Sequence, residues 1–208
     1  MTKAVGIFWA LLLCPWAAQG EDVGGSYSPP TPPVGRESSA APAPVYRVGG
    51  PGPAGGLIFY DKGGFSDGWR YLEAAPPEAE KQLGWSGRQI RIDGTQASIG
   101  SGPGNTRLIL EGFGRIAGEG DHAARYCDEL ILNGFDDWFL PSLDELNRMY
   151  EQLKRRDLGD FKPRWYWSST FVYSYSYGII AIIRFEDGRV SEESALNSPY
   201  YVRPIRAF

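Results

Sequence analysis

The chain has 208 residues, enough for one domain plus appendages, since single domains run to roughly 100–200 residues. Its 21 basic and 25 acidic residues leave a net charge of −4, which argues against nucleic acid and anionic membranes as bulk partners. Two cysteines, Cys14 and Cys127, cannot build a disulfide scaffold, so stability has to come from an apolar core.

Residues 1–20 read as a secretory signal peptide. Lys3 supplies the positive start, Val5 to Trp16 the short apolar segment, and Ala18-Gln19-Gly20 the small residues at which a signal peptidase cuts. The apolar segment falls short of the ~20 residues that cross a bilayer, so no transmembrane span is expected in the mature chain. Lipid attachment at Cys14 is one alternative, although a lipobox wants a small residue where Leu13 stands, and a retained anchor is the other. Loss of the leader would leave Cys127 without an intramolecular partner and bring the net charge to −5. From 21 to 45 the composition collapses to Pro, Gly, Ser and Ala around Pro29-Pro30-Thr31-Pro32-Pro33. Such a segment buries too little apolar surface to offset its ordering entropy and reads as a disordered tether.

The folded domain is expected over 46–208. Gly55-Gly56-Leu57-Ile58-Phe59-Tyr60-Asp61 is a short apolar run between turn formers, hence a buried strand, and Trp69-Arg70-Tyr71-Leu72-Glu73 alternates as its partner. Recurrent glycines between Gly84 and Gly120 predict irregular backbone around one helix near Thr106 to Ile116. Asp121 opens a second helix, with Ala124, Cys127, Leu130 and Ile131 on one face and Asn133-Gly134 as its stop. Ser142 and Glu145 form a capping box for a third, whose stripe is Leu143, Leu146, Met149, Tyr150 and Leu153, with Lys154-Arg155-Arg156 at its negative end. Tyr166 to Thr170, Gly178 to Phe185 and Tyr201 to Phe208 read as strands, and Glu186-Asp187-Gly188-Arg189 as a hairpin turn. Apolar on both faces, Ile179 to Ile183 suits a central strand. The class is α+β: two helices packed on a mostly antiparallel sheet.

Several of these blocks form an ordered set. Gly55 to Asp61, Trp69 to Ala75, Ile99-Gly100-Ser101-Gly102 with Asn105-Thr106, Asp137-Trp138-Phe139-Leu140-Pro141-Ser142 with Glu145-Leu146, Tyr166 to Thr170 and Val202 to Phe208 together resemble the C-terminal domain family of the bacterial collagen-like adhesin Lcl, a domain-of-unknown-function family. The similarity covers 46–208. That family is similar in turn to the C-type-lectin-like fold, including its formylglycine-generating-enzyme branch, where a Trp-x-Leu-Pro-Thr block opens a helix. The resemblance implies an exported module with long irregular loops whose first and last strands pair. Its binding loops would lie between the Trp-Ser-Ser-Thr strand and the terminal strand. It implies no settled activity.

Catalytic chemistry finds little footing. The only histidine, His122, stands at a helix start beside Asp121 and reads as a capping or surface residue, and no Gly-x-Ser-x-Gly elbow accompanies it. Cys127 lies on an apolar stripe and reads as packing, so the paired-cysteine copper chemistry of formylglycine-generating enzymes is not expected. Gly100-Ser101-Gly102-Pro103-Gly104-Asn105-Thr106 lacks the Gly-Lys-Ser/Thr ending of a phosphate loop and reads as a tight turn capped into a helix by Asn105 or Thr106. Asp136, Asp137, Asp144 and Glu145 would be the carboxylates of a glycosidase reading, but the capping box already accounts for Glu145. Asn133, Asp136 and Asp137 are calcium-ligand candidates without the signatures of sugar-binding lectins; turn chemistry explains them equally, and a structural calcium stays open.

The remaining candidate is aromatic. Tyr173, Tyr175 and Tyr177 alternate, so an extended backbone would put all three on one face, with Trp165, Tyr166, Tyr200 and Tyr201 flanking in sequence. Tyr and Trp give rigid contact area at low entropy cost, and flat rings suit sugars and peptides. Trp165, Tyr173, Tyr175, Tyr177, Asn197 and Tyr200 are therefore the ligand-binding candidates, against an alternative of ordinary sheet packing. The expected function is an exported, non-enzymatic, adhesin-like module that is secreted, surface-held or periplasmic and presents aromatic loops to a glycan or protein of a cell surface or matrix. The competing expectation is an envelope assembly protein that binds a periplasmic or outer-membrane partner.

Overall fold

The structure, a computed structural model, describes residues 44–86, 91–113, 122–172, 178–194 and 199–208, all within the unit Ala43–Phe208. The leader and the tether up to residue 43 lie outside the described residues. None of the described helices is long and apolar enough to cross a membrane.

The chain opens with a β-hairpin. β1 (Leu57–Ser66) pairs antiparallel with β2 (Trp69–Ala74), and the two-residue turn between them is Asp67-Gly68, with φ of 52° and 83°. Two successive positive φ values are what a type I′ turn demands, and they match the twist of the flanking strands. At the other end of β1, Gly56 lies so close to Ala74 that a Cβ would run into its carbonyl.

β3 (Lys81–Leu83) follows, then α1 (Gly102–Phe113), α2 (Ala123–Asp128) and α3 (Leu143–Gln152). β4 (Trp165–Val172), β5 (Ile179–Arg184), β6 (Val190–Ser194), β7 (Tyr200–Val202) and β8 (Ile205–Ala207) complete the described elements. They form two sheets, β1-β2-β8 and β3-β7-β4-β5-β6, antiparallel except for the β4–β7 pair. The class is α+β, as expected, and no barrel is formed. The helices number three among the described residues, and one sheet has become two.

The tail differs from the single strand expected over Tyr201 to Phe208. It breaks at Arg203-Pro204, so β7 joins the larger sheet and β8 the smaller. Pro204 has no N–H to give a ladder, which makes it a natural crossing point. The expected pairing of first and last strands is also corrected: β8 pairs with β2, because the hairpin occupies the other edge of β2 with β1. The outer edge of β1 is met near its start by Gly49–Pro51, through Gly49 N–H to Ile58 O (2.8 Å) and Ile58 N–H to Gly50 O (2.9 Å).

Helix boundaries shift for identifiable reasons. α1 starts at Gly102 with Pro103 in its first turn, where a missing N–H costs nothing. Asn105 and Thr106 therefore sit inside the helix rather than capping it. Asn105 bonds Gln96 N–H and C=O and Ser169 Oγ, and Thr106 Oγ1 accepts from Leu140 N–H at 3.1 Å. α2 ends at Asp128, short of Ile131, which is 76% exposed. Leu130, Leu132 and Phe135 instead pack around Trp138, and Asn133-Gly134 turns the chain between Leu132 and Phe135 rather than ending a helix. α3 has the expected capping box, with Glu145 N–H on Ser142 Oγ (3.3 Å) and Ser142 N–H on Glu145 Oε2 (2.7 Å). Lys154–Arg156 form a separate 3-10 turn after it.

The larger sheet is buried on both faces. Trp167, Ile180, Ile182 and Val202 meet α1, α2 and Trp85 on one side; Tyr166, Ile183 and Phe185 meet α3 and the smaller sheet on the other. This is why β5 is apolar on both faces. Two arginines of the tail are sunk into the fold. Arg203, 2% exposed, donates through Nε and Nη2 to Glu80 Oε2 (3.1 and 2.7 Å) and through Nη1 to the carbonyls of Ala75 and Gly159 (3.0 and 3.1 Å). Arg206 grips Asp137 with two bonds (2.7 and 2.8 Å) and reaches Glu73 at 3.4 Å. Glu73 is fully buried and also accepts the N–H groups of Ala54 and Gly56 (3.0 and 2.8 Å).

Removing one partner of a buried pair strands the other charge. The substitution Arg203→Met should lower unfolding free energy by about 3–5 kcal/mol, read as a drop in the urea midpoint with an unchanged m-value.

Candidate binding surface

Cross-strand register places one set of aromatic side chains on the α1/α2 side of the larger sheet. Trp165 and Trp167 share that face because strand side chains alternate with period two. The parallel pairing Tyr166–Tyr201 brings β7 alongside, so Tyr200 comes next to both tryptophans, with ring centroids 6.5 Å from Trp165 and 4.8 Å from Trp167. Trp167 is the anchor: it is buried, and its Nε1–H donates to Leu83 O at 2.9 Å. Trp165 and Tyr200 are only half-buried, so each keeps part of its ring in solvent.

Charged groups frame these rings. Arg184 pairs with Trp165 across the β4–β5 ladder, and its guanidinium lies 5.5 Å from the ring centroid. Asp187 in the β5–β6 turn holds Arg184 with two hydrogen bonds, one of them 2.9 Å. The same contact holds the Asp187 carboxyl down to about 2. On the other side, the Tyr200 hydroxyl donates to Glu193 Oε2 at 3.1 Å. Lys81 Nζ lies 4.2 Å over the Tyr126 ring, and the Tyr126 hydroxyl, pushed up to about 12 by burial, donates to Ala79 O at 2.8 Å. The result is an aromatic surface with cations and carboxylates at its margins and its rings fixed by neighbours. Rings held this way lose little entropy on binding.

Of the candidates read from the sequence, Trp165 and Tyr200 are brought together. Tyr173, Tyr175, Tyr177 and Asn197 lie outside the described residues. Tyr166 and Tyr201, which flank the stripe in sequence, turn to the opposite face, where Tyr166 is fully buried and stacks on Phe185 at 4.2 Å. Sequence reasoning missed Trp167, Arg184 and Glu193. The period-two spacing of Trp165 and Trp167 was a usable signal for the first; the other two depend on strand register.

Most of the groups weighed for chemistry are engaged within the fold. His122 is 2% exposed and caps α2, its Nδ1 accepting from Arg125 N–H at 3.3 Å, so it is a capping residue and not a surface one. Cys127 is fully buried among Trp85, Phe113 and Trp167, and burial pushes its thiol well above the ordinary range. Asn133, with φ 52°, turns its amide to donate to Ala54 O at 2.8 Å, Asp137 is clamped by Arg206, and Asp136 is exposed. Of the glycosidase set, Asp137 and Glu145 serve different partners, while Asp136 and Asp144 are exposed. Among the described residues no group of three or more His, Cys, Asp or Glu could hold a metal ion. No protein-family model matches the chain, and no curated protein matches it.

Glu145 yields a pH test. Its carboxylate is fully buried and accepts Gly100 N–H at 2.8 Å as well as Ser142 N–H. Burial outweighs these bonds and raises its pKa above 4.5. The folded state then holds this proton more tightly than the unfolded chain does. The group's contribution is most favourable in acid and declines as pH rises from about 4.5 through the raised value. Urea midpoints across that range should show this decline in the native protein and lose it in Glu145→Gln. At neutral pH the variant should be about 1–3 kcal/mol less stable, because its NH2 must face one of the two N–H donors.

A second test concerns Cys127: peptide mapping after alkylation should find it unmodified in the native protein and fully modified in urea.

Proposed function

We propose that this chain is an exported, non-enzymatic binding module, adhesin-like in character, which uses the surface around Trp165 and Tyr200 to hold a glycan or a surface macromolecule. The observation that carries this reading is the meeting of those two residues. They lie far apart in sequence, yet stand side by side as half-exposed rings beside Arg184 and Glu193. Aromatic faces stack on sugar rings or peptide groups, and the flanking ions supply hydrogen bonds that orient them. The absence of an enzyme role is supported by the commitment of His122, Cys127 and Glu145 to caps and core. Export rests on the leader read at 1–20, with the tether at 21–45 as a spacer.

The finer fold assignment belongs here as well. We infer a C-type-lectin-like arrangement related to the Lcl C-terminal domain family. In its favour are the Trp138-Phe139-Leu140-Pro141-Ser142 block that opens α3 and the two mostly antiparallel sheets.

Glycan arrays and immobilised matrix proteins would identify the ligand. Trp165→Ala should then reduce binding about tenfold or more, as loss of an aromatic anchor does, while Phe65→Ala, at an exposed hairpin position, should leave it intact. Undiminished binding by a folded Trp165→Ala protein would remove this surface from consideration.

A further inference from the structure

The segment joining α3 to β4 is electrically unlike the rest of the chain. Between residues 153 and 164 the chain carries Lys154, Arg155, Arg156, Lys162 and Arg164 against Asp157 and Asp160, a local excess of three positive charges in a protein of net charge −4. Arg155, Arg156, Lys162 and Arg164 are exposed. Lys162 stands 3.5 Å from Asp160, and Lys154 Nζ donates to Phe161 O at 3.0 Å. Arg155 and Arg156 make no ion pair among the described residues.

The same segment walls a cleft of about 310 Å³. Leu153 and Phe161 line it on that side, Leu57, Ala74 and Pro76 on the other, and Arg203 contributes a guanidinium already committed to Glu80 and two carbonyls. The walls are therefore mostly apolar; Asp160 lines the cleft as well, and the exposed cations stand on the same segment, next in sequence to Leu153 and Phe161. At the small end of ligand pockets, such a volume suits one bulky side chain. With Arg203 engaged, the interior has little left to orient a polar small molecule.

We propose that this cleft and the basic segment that walls it form a second docking site, for an acidic peptide segment that inserts one large apolar side chain. Charge beside the cleft and apolar burial within it would act on the same ligand, the segment's cations guiding the encounter and the cleft setting the residence time. A membrane fits less well. Its binding calls for apolar side chains that project from a basic surface, and the exposed large hydrophobics, Val45, Phe65, Ile131 and Val190, all lie outside this segment. A nucleic acid fits less well too, since the only aromatic ring in the segment, Phe161, is 3% exposed and not available to stack bases.

The test is fluorescence anisotropy of the full chain with short labelled glutamate-rich peptides carrying one central Leu, Phe or Ala. The Leu or Phe peptide should bind about tenfold or more tightly than the Ala peptide, and binding should weaken with salt. Arg155→Glu with Arg156→Glu should cost about tenfold or more without moving the thermal midpoint. Asp160→Asn should raise affinity, a gain that misfolding cannot mimic, and Asn tolerates the φ of 46° there. Trp165→Ala should leave peptide binding unchanged, which separates this site from the aromatic surface. Equal binding of the Ala and Leu peptides would reduce the site to nonspecific charge attraction and overturn the proposal. So would binding to phosphatidylglycerol vesicles, lost in the double arginine variant, with no peptide binding.

Discussion

Arg203 and Arg206 lie three residues apart in the segment that crosses from β7 to β8, and each ends in an ion pair far from it in sequence. Arg203 reaches Glu80 across 123 residues, and Arg206 reaches Glu73 across 133. Neither charge could be buried alone, because desolvating a guanidinium without a partner costs more than most single contacts return. Each pair therefore demands that several segments arrive together. Glu80 also accepts from the Tyr166 hydroxyl at 2.7 Å, and Glu73 also receives the Ala54 and Gly56 amides. The larger sheet, the smaller sheet and the turn before β1 are thus fixed against one another by two cations. Aromatic rings complete the enclosure: Phe161 lies 4.2 Å from the Arg203 guanidinium and Phe135 4.0 Å from that of Arg206. A slipped register would leave a buried charge unmatched, so these groups act as a specificity device as much as a source of stability.

What could be read from the sequence was local. Ser142 and Glu145 are three residues apart, so the capping box declares itself without tertiary help. The isoleucine run of β5 is of the same kind. What escaped depends on partners distant in sequence. Nothing near Arg203 or Arg206 names Glu80, Glu73 or Asp137, and the break at Pro204 could be seen as a loss of one donor but not as a change of sheet. The end of α2 was misplaced because Leu130 and Leu132 are drawn to Trp138, a tertiary contact that overrides the three-four spacing. The neighbourhood of Trp165 and Tyr200 is set by one parallel pairing between β4 and β7, which no periodicity encodes.

The buried reactive groups are engaged within the fold. The histidine caps a helix, the described cysteine fills core, and the buried acids hold backbone amides or arginines. Half-exposed aromatic rings and exposed cations lie at the surface of the described residues. They sit on different parts of the fold, the rings on the α1/α2 side of the larger sheet and the cations beside a cleft lined by the smaller sheet and the segment after α3.

The crossing of residues 200–207 between two sheets also sets an order of events in time. β7 pairs with β3 and β4, and β8 pairs with β2, so neither sheet can close until this segment has been synthesised. Contacts of such long sequence separation slow folding, because loop-closure entropy is lost before the pairing energy is gained. A chain emerging from the ribosome would stay open until nearly all of the described domain is available. The topology itself delays the native state, because both sheets wait on strands from the last part of the described domain.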